Sequence, residues 1–257
     1  MRKNKAKEKM LRGEPIFMCM LLSHAPSMVE VLARAGIDII CIDGEHGPLD
    51  RQTLENLVRA CECADVTPIF RTTLNYPAEI LPFLDTGVMG LEVPHCTTAA
   101  KAKMAVDALK YAPLGKRGMT PGRANAYAVS GMSAKEYIEA SNRETLILTQ
   151  IEDVEGLKNL PEIIKVEGID VVDIGPGDLS NSLGYPGQRA HPKVLEAIEH
   201  IIDMAHSVGR ISDNPAPNAE LRKKWFAKGA HIITSGDLRM LFDSASAQVR
   251  TILDSVK

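Results

Sequence analysis

The chain has 257 residues, and its 30 Lys+Arg against 33 Asp+Glu give a formal net charge of −3. This balance excludes the strongly basic surface of a nucleic-acid-binding protein. A hydrophobic content of 45% with 25% charged residues is that of a folded globular chain. An aromatic share of 4% argues against a stacking surface for single strands. No apolar run reaches the roughly 18 residues that a membrane span needs.

The compartment is indicated by the first residues and by the cysteines. The segment before Ile16 is polar and charged, without the apolar stretch of a secretory signal. The cysteines are odd in number and lack zinc-type spacing, so we expect reduced thiols and a cytoplasmic protein. They are Cys19, Cys41, Cys61, Cys63 and Cys96.

Short apolar runs recur along the chain and are separated by longer amphipathic stretches. Most lack strict alternation, which is typical of parallel strands covered on both faces. The predicted strands cover residues 15–22, 38–42, 67–71, 90–94, 145–150, 169–174 and 231–235. The predicted helices cover residues 28–35, 53–63, 98–109 and 194–208, with a last helix from Asp237. Gly36, Gly209 and Gly229 each stand between a helix and the next strand, where a glycine cap is common.

An eighth strand is needed between the helix at 194–208 and the last strand. Only Arg210–Ser212 is available, and Pro215 and Pro217 follow at once, so this strand must be short or irregular. With it, the pattern predicts an α/β fold, a (βα)8 TIM barrel forming a single domain over residues 1–257. A doubly wound open sheet is the alternative, but no GxGxxG follows the first strand. The irregular stretch at 111–133 is long enough to be functional.

Polar residues gather where the predicted strands end. In a TIM barrel these ends meet at one mouth, which carries the chemistry. Each residue taken singly could be a loop hydrogen-bonder or a helix cap. Together they predict an active site made of Asp43 and His46 after the second strand, Arg71 on the third, His95 after the fourth, Gln150 and Glu152 on the fifth, and Gly175, Gly177 and Asp178 after the sixth.

The residue types indicate metal-assisted chemistry on an anionic substrate. Glu152 and Asp178 offer hard oxygen ligands that suit Mg²⁺ or Mn²⁺, although Asp178 could instead cap a helix. Gly175 and Gly177 free backbone amides for a substrate carboxylate.

Each of the other candidate side chains has a structural alternative beside its functional role. Arg71 could hold an enolate or carboxylate oxygen, or form a structural ion pair. His46 could act as a general base or only support its loop. His95 is expected in the pocket wall. No lysine lies at a strand end, which argues against imine chemistry and for a metal-stabilised enolate.

Several motifs keep their order from about Pro15 to the C-terminus. They are IDGEHGP, FR, LDTG, VP, KRG, QIED and IGPGDLSNSLGYPG followed by HP. Together they resemble the HpcH/HpaI aldolase family. Members of this family are metal-dependent class II pyruvate aldolases of the 4-hydroxy-2-oxoheptanedioate and 2-dehydro-3-deoxyglucarate type.

The resemblance implies a role for each matching residue. His46 would be the catalytic base and Arg71 would stabilise the enolate oxygen. Asp85, in the LDTG motif, would raise the basicity of His46, with Asp43 as a local rival. Glu152 and Asp178 would bind the divalent cation (Mg²⁺, Mn²⁺ or Co²⁺). Gln150 and the backbone of Gly177 and Asp178 would hold the pyruvate moiety.

The resemblance also implies an assembly. Family members form hexamers in which the last helix is exchanged between neighbours. We therefore expect a homo-oligomer, a hexamer or trimer of dimers, with a small 2-oxo acid as the substrate and no nucleic-acid or membrane partner.

The chain departs from the family pattern on one side of the expected site. His95 stands where a hydrophobic residue is common, Gly177 replaces an alanine and Met20 replaces a bulky aromatic. The segment 209–215 also differs from the usual pattern. The metal and pyruvate side is therefore kept, whereas the aldehyde is left open.

The sequence predicts a lyase that cleaves a 4-hydroxy-2-oxo acid to pyruvate and an aldehyde. An acyl-CoA lyase or an oxaloacetate decarboxylase using the same enolate site is one alternative. A non-catalytic barrel that binds a 2-oxo acid is the other.

Overall fold

The computed structural model describes residues 1–72 and 77–256. Eight parallel strands follow one another around a closed barrel, and the eighth pairs with the first. The strands are β1 Ile16–Leu21, β2 Ile39–Asp43, β3 Thr67–Arg71, β4 Gly90–Val93, β5 Leu146–Ile151, β6 Val171–Ile174, β7 Ile211–Asp213 and β8 Ala230–Gly236. The predicted TIM barrel is confirmed, with every predicted strand in place.

Helices cover the outside of the barrel between the strands. They are α1 Lys5–Leu11, α2 Pro26–Arg34, α3 Arg51–Cys63, α4 Pro77–Leu84, α5 Ala99–Leu109, α6 Ala134–Glu144, α7 Val154–Ile163, α8 Pro176–Ser182, α9 Pro192–Ser207, α10 Ala219–Phe226 and α11 Asp237–Asp254. Side-chain caps fix several starts: Asp50 accepts from the N–H of Thr53, and Asn218 from that of Leu221. Gly36 and Gly229 have φ values of 98° and 95°, which confirms both as left-handed positions after a helix.

The seventh strand is the weakest part of the barrel, as predicted. β7 has three residues, and its pairing with β8 shifts register between Ser212 and Asp213. The helix α1 was not predicted, because its sequence is mostly charged. Its Ala6 and Met10 nevertheless pack against the inner residues of the barrel, at the amino ends of the strands.

The core has two shells, and the inner one positions the site. Outward strand residues pack against the helices in one cluster. Inward residues form a second, dry cluster that includes Ile16, Ile39, Ile69 and Leu146. Because strand side chains alternate, the inward series continues toward the carboxyl ends of the strands. That continuation places Asp43, Arg71, Glu92, Gln150, Asp173 and Asp213 inside the barrel.

The last helix, α11, has an exposed apolar surface. Leu241, Phe242, Val249 and Ile252 are each more than half exposed, and Asp237 is the residue of α11 that is buried. An exchanged position for this helix stays a prediction, because a single chain does not test it. Over the described residues, no helix combines the length and the apolar character that crossing a bilayer requires.

Candidate active site

A cavity of about 460 Å³ opens at the carboxyl ends of the strands. Its wall includes six of the predicted site residues, namely Arg71, Gln150, Glu152, Gly175, Gly177 and Asp178. They come from β3, β5 and the start of α8, segments that are far apart in sequence. The barrel therefore brings most of the predicted site into one place, at the end where TIM barrels carry their chemistry.

Arg71 is held in a fixed orientation by Asp43. The two residues are register partners on β2 and β3, and Nε of Arg71 donates to Oδ1 of Asp43 at 3.0 Å. A second bond joins Nη2 to Oδ2, so the contact is bidentate. Burial opposes the charge on Asp43, yet the hydrogen bonds and charge of Arg71 lower the pKa of this carboxyl. The guanidinium is thus positioned as a fixed positive charge at the cavity wall.

The loop after β2 is organised by the same aspartate. Oδ1 of Asp43 accepts from the backbone N–H of Glu45 at 2.9 Å and of His46 at 3.2 Å. The side chain of His46 is 63% exposed, and its Nε2 lies 3.7 Å from Oε2 of Glu45. His46 is outside the lining of the cavity, at its edge. Asp43 therefore supports both the Arg71 side chain and the backbone that carries His46.

Glu152 is buried, and its pKa is strongly raised. It is 4% exposed, and its Oε1 accepts from the backbone N–H of His95 at 2.6 Å. Nδ1 of His95 lies 3.1 Å from the same oxygen. Burial and the neighbouring charges, first that of Asp178, raise the pKa of Glu152 to about 7, although the N–H of His95 opposes this. His95 thus reaches the site through Glu152, from a position in the left-handed region with φ of 49°.

The turn between β6 and α8 needs a glycine at position 175. A Cβ on Gly175 would lie 2.4 Å from Oε2 of Glu152, so only glycine lets the carboxylate rest against this backbone. Gly177 and Asp178 occupy the first turn of α8 and line the cavity. A Cβ on Gly177 would lie 3.1 Å from Nη2 of Arg189. The alternative that Asp178 caps the helix is not supported, because Gly175 holds the capping position.

Gln150 is committed to a neighbour that the sequence did not suggest. Its Nε2 donates to Oδ2 of Asp173 at 2.7 Å, across the β5–β6 pair. Its Oε1 is buried and has no hydrogen-bond partner among the residues described. Pyruvate offers only acceptors, so this oxygen cannot bind it, and the predicted contact of Gln150 with pyruvate would need the amide to be rearranged.

Glu152 and Asp178 fit a divalent cation whose other ligands are water or substrate oxygens. Glu152, which is buried, and Asp178, which is exposed, line one cavity, and the negative charge of Asp178 raises the pKa of Glu152. Between residues 1–72 and 77–256, no three His, Cys, Asp or Glu side chains are grouped so that they could share a metal ion. Two carboxylates leave the remaining positions of a hard cation to water or substrate oxygens, which suits Mg²⁺ and Mn²⁺.

Asp85 is the predicted residue that the structure keeps apart from the others. It follows α4, whose carboxyl end points to the amino ends of the strands, and its Oδ1 accepts from Nη2 of Arg117 at 3.0 Å. It does not line the cavity. Its expected effect on His46 is thus not a contact within one chain, because the LDTG motif lies at the opposite end of the fold from IDGEH.

Four acidic residues near the mouth escaped the sequence reasoning. Glu45 lies 3.5 Å from Nε of Arg71, while Glu92, Asp173 and Asp213 line the cavity. Glu92 and Asp173 stand inside short apolar strands, where a single acidic residue belongs to no motif, and Asp213 ends the short strand β7, just after the predicted segment Arg210–Ser212. The alternation of side chains along a strand could have identified Asp173. It lies two residues before Gly175, and residues two apart face the same side of the sheet.

Comparison with known proteins agrees with this geometry. A sequence model of the HpcH/HpaI aldolase/citrate lyase family matches residues 16–244. The chain belongs to this family. The resemblance seen in the motifs is confirmed, and with it the assignment as a lyase of the aldolase type.

Relatives with the same name in two bacteria match this chain over nearly its full length. A 4-hydroxy-2-oxo-heptane-1,7-dioate aldolase of Escherichia coli is 36% identical over 245 residues, which is 95% of this chain and 93% of that protein. The protein of the same name from Klebsiella pneumoniae subsp. pneumoniae is also 36% identical, over 95% and 92% of the two chains.

Two solved structures show the same barrel. The HpcH/HpaI aldolase of Desulfitobacterium hafniense DCB-2 is 31% identical with a TM-score of 0.88, over 96% of this chain and 95% of that one. The citrate synthase SbnG is 30% identical with a TM-score of 0.87, over 97% of both chains. Proteins named as an aldolase and as a citrate synthase thus share this fold.

Proposed function

We propose that this chain is a pyruvate aldolase that reversibly cleaves a 4-hydroxy-2-oxo acid to pyruvate and an aldehyde with the help of a divalent cation. The observation that carries the proposal is the cavity in which Glu152, Asp178 and the clamped Arg71 meet. The relatives named 4-hydroxy-2-oxo-heptane-1,7-dioate aldolase support the reaction class.

Glu152 and Asp178 are the residues that would hold the cation, which we propose to be Mg²⁺, Mn²⁺ or Co²⁺. When bound, such a cation supplies Lewis-acid polarisation of the 2-oxo group. Because Glu152 is buried and hydrogen-bonded to the N–H of His95, its carboxylate is fixed toward the cavity. Backbone amides of Gly177 and Asp178 would hold the carboxylate of the substrate, with Arg189 beside Gly177 as an added positive charge.

Arg71 would stabilise the enolate that cleavage produces. Its guanidinium is already oriented by two hydrogen bonds to Asp43, so little rearrangement is needed as negative charge develops on the substrate oxygen. From this position the charge of Arg71 also lowers the pKa of Glu92 and Asp173, against the larger opposing effect of their burial.

His46 would take the proton of the 4-hydroxyl group. The electrons of the O–H bond then form the aldehyde C=O, the C3–C4 bond breaks, and its electron pair becomes the enolate. A proton delivered to C3 completes pyruvate. Within one chain Asp85 is held by Arg117, so the proposed effect of Asp85 on His46 depends on an assembly in which a neighbouring copy brings it close.

The deciding experiment follows pyruvate release from 4-hydroxy-2-oxo acids by protein stripped with EDTA. We expect release only after Mg²⁺, Mn²⁺ or Co²⁺ is added back. A folded protein that releases no pyruvate with any of these ions would refute the aldolase assignment. Pyruvate that binds in a calorimeter without turnover of any aldol would then favour a binding protein.

A second candidate function has one observation in its favour. The citrate synthase SbnG shares the fold over 97% of both chains at 30% identity. A citrate synthase joins the enolate of a thioester to a 2-oxo acid, which is chemistry that the same Arg71 site could support. Release of free coenzyme A from acetyl-CoA and oxaloacetate would identify this activity. An oxaloacetate decarboxylase would instead form pyruvate from oxaloacetate alone.

We propose a homo-oligomer, a hexamer or trimer of dimers, in which α11 packs on a neighbouring copy. The support is the exposed apolar surface of α11, which includes Phe242 at 65% and Ile252 at 63% exposure. Light scattering should give a mass several times 28.0 kDa, and Phe242→Glu should lower it. A cytoplasmic location is proposed from the five free cysteines.

A further inference from the structure

The floor of the active-site cavity is acidic. Glu92 on β4, Asp173 on β6 and Asp213 on β7 are 1%, 3% and 3% exposed, and all three line the cavity. They lie on the inward face of the barrel, below the carboxylate pair of Glu152 and Asp178. None of them has a part in the reaction proposed above.

The donors around the floor are already in use. Gln150 Nε2 donates to Asp173 at 2.7 Å, the hydroxyl of Thr234 donates to Asp213 at 3.0 Å, and the thiol of Cys41 donates to Oε2 of Glu92 at 3.2 Å. Arg71, the cation on the same inward face, is hydrogen-bonded to Asp43. The floor therefore offers acceptors to a ligand rather than donors.

Two of these acceptors are left open. Oε1 of Glu92 and Oε1 of Gln150 are buried and have no partner in the described part of the chain. Both side chains are more than nine-tenths buried, and both residues line the cavity. Buried acceptors without a partner are destabilising, so they mark a place where a ligand bringing its own donors would be stabilised.

The acceptors do not form a metal site. In residues 1–72 and 77–256, no three acidic, thiol or imidazole side chains are grouped closely enough to share one ion. Oxygens that are spread out suit a group with several N–H donors, each making its own bond. A protonated primary amine has three such donors and a positive charge.

The opposite end of the cavity has the opposite charge. Arg189 and Arg239 belong to the lining, and Nη2 of Arg189 lies 3.1 Å from the position that a Cβ on Gly177 would take. Arg189 thus adds a positive charge beside Gly177, next to the proposed metal ligands Glu152 and Asp178, whereas three carboxyl groups line the floor. A ligand that is a carboxylate at one end and an ammonium at the other matches both ends.

We propose that the floor made by Glu92, Gln150, Asp173 and Asp213 is a subsite for a protonated amine at the far end of the substrate. The inference rests on the proposed aldolase function and names its substrate class: a 4-hydroxy-2-oxo acid that ends in an ammonium group. The relatives are named for a heptanedioate, which carries a second carboxylate at that end. A second carboxylate placed against the carboxyl groups of the floor would be buried without a positively charged partner there, which is unfavourable.

Burial disfavours the charged forms of the carboxyl groups in the floor, and a cation beside them would offset this effect. Burial raises the pKa of both Glu92 and Asp213 well above the usual range, and the charge of Asp173 adds to this effect in each case. A nearby ammonium group stabilises the ionised carboxylates, whereas a carboxylate does the reverse.

The first test compares three aldehydes in the direction of aldol addition to pyruvate. They share the chain OHC–CH2–CH2– and end in an ammonium, a hydroxyl or a carboxylate: 3-aminopropanal, 3-hydroxypropanal and 4-oxobutanoate. We expect kcat/KM for 3-aminopropanal to exceed that for 4-oxobutanoate by about 100-fold, with the hydroxyl between them. Equal values, or a preference for 4-oxobutanoate, would overturn the proposal.

The second test removes the charge of the floor. Asp213→Asn and Glu92→Gln each keep the side-chain shape, and each should lower the ratio of amine to carboxylate by about tenfold. Glu144→Gln is the matched control, because Glu144 is a buried carboxylate that accepts from the N–H of Asn4 far from the cavity. It should keep the wild-type ratio. A ratio that Asp213→Asn and Glu92→Gln leave unchanged means that water alone covers the floor, and the subsite is rejected.

A binding measurement separates this inference from the proposed reaction. 4-Aminobutanoate and glutarate share a carboxylate and three methylenes, and neither can react. Calorimetry on the Mg²⁺-loaded wild-type protein should give tighter binding of 4-aminobutanoate, and Asp213→Asn should remove the difference. If no aldehyde reacts but this preference is found, the reaction is wrong and the amine subsite stands. If aldehydes react and glutarate binds as tightly as 4-aminobutanoate, the subsite is wrong and the reaction stands.

Discussion

The two halves of the barrel interior are built by the same strands and differ completely in polarity. Toward the amino ends, Ile16, Ile39, Ile69 and Leu146 fill the interior with α1 closing it below. Toward the carboxyl ends, the next inward positions hold Asp43, Arg71, Glu92, Asp173 and Asp213. The apolar half gains free energy from burial at roughly 25 cal/mol per Å². The polar half has to pair or protonate its charges instead.

The contrast shows that the residues that stabilise the fold and the residues that form the site lie in different halves of the barrel interior. Two residues along one strand are enough to change from Ile39 and Cys41, which pack, to Asp43, which orients an arginine. Substitutions in the polar half should therefore change turnover more than folding, and substitutions in the apolar half should do the opposite. Each of the following predictions tests one side of that statement.

The largest effect is expected for the carboxylate pair. Glu152→Gln with Asp178→Asn removes both proposed metal ligands while keeping their shapes, and should lower metal-stimulated pyruvate release by about 10³-fold or more. The urea midpoint without metal should hold or rise, because the charge of the buried Glu152 side chain is removed. The exposed Glu155→Gln is the control and should leave both values unchanged. Metal-stimulated release that survives in the double variant would show that the ligands lie elsewhere.

Arg71 comes next in expected size. Arg71→Lys keeps the positive charge but loses the bidentate contact with Asp43, so kcat should fall by about 10²-fold or more while the affinity for the activating metal changes little. The measurement is kcat beside a titration of Mn²⁺. A kcat equal to that of wild type would refute the role assigned to the guanidinium.

Substitutions in the apolar half should change the unfolding free energy and leave kcat nearly unchanged. Ile39→Ala deletes a fully buried side chain from the dry cluster and should cost about 2–5 kcal/mol of unfolding free energy. The protein that remains folded should keep its kcat within about twofold, because Ile39 does not line the cavity. Urea unfolding and initial rates at the same temperature check both statements. A large loss of kcat in folded Ile39→Ala would end the separation of the two halves.

The fold was readable because each parallel strand is a continuous apolar run between amphipathic helices. The site was readable in part, because Arg71, Gln150, Glu152 and Asp178 stand where such runs end. The acidic floor could not be predicted, because Glu92 lies within the apolar strand GLEV and Asp173 within VVDI. Which residues of a strand face inward can be told only when one inward residue of that strand is known. Likewise α1 hides in a charged segment in which Ala6 and Met10 are the buried residues. The LDTG motif pointed to chemistry, but its position at the far end of α4 follows from topology.

The smallest effect concerns pH and belongs to the polar half. Burial raises the pKa of Asp173 from 3.8 to about 6, against the opposing hydrogen bond from Gln150. Between these two values the folded protein holds a proton that the unfolded chain has lost, so the unfolding free energy should fall as pH rises. Asp43 has a lowered pKa and acts in the opposite direction, below pH 3.8.

Asp173→Asn cannot titrate, and so should flatten the decline between pH 4 and pH 6 in metal-free protein. Urea unfolding across that range measures it, and a slope as steep as that of wild type would place the proton on another carboxyl. Because burial also raises the pKa of Glu92, Asp213 and Glu152, some decline should remain in the Asp173→Asn variant, and the part that Asp213→Asn then removes would be assigned to the floor of the cavity.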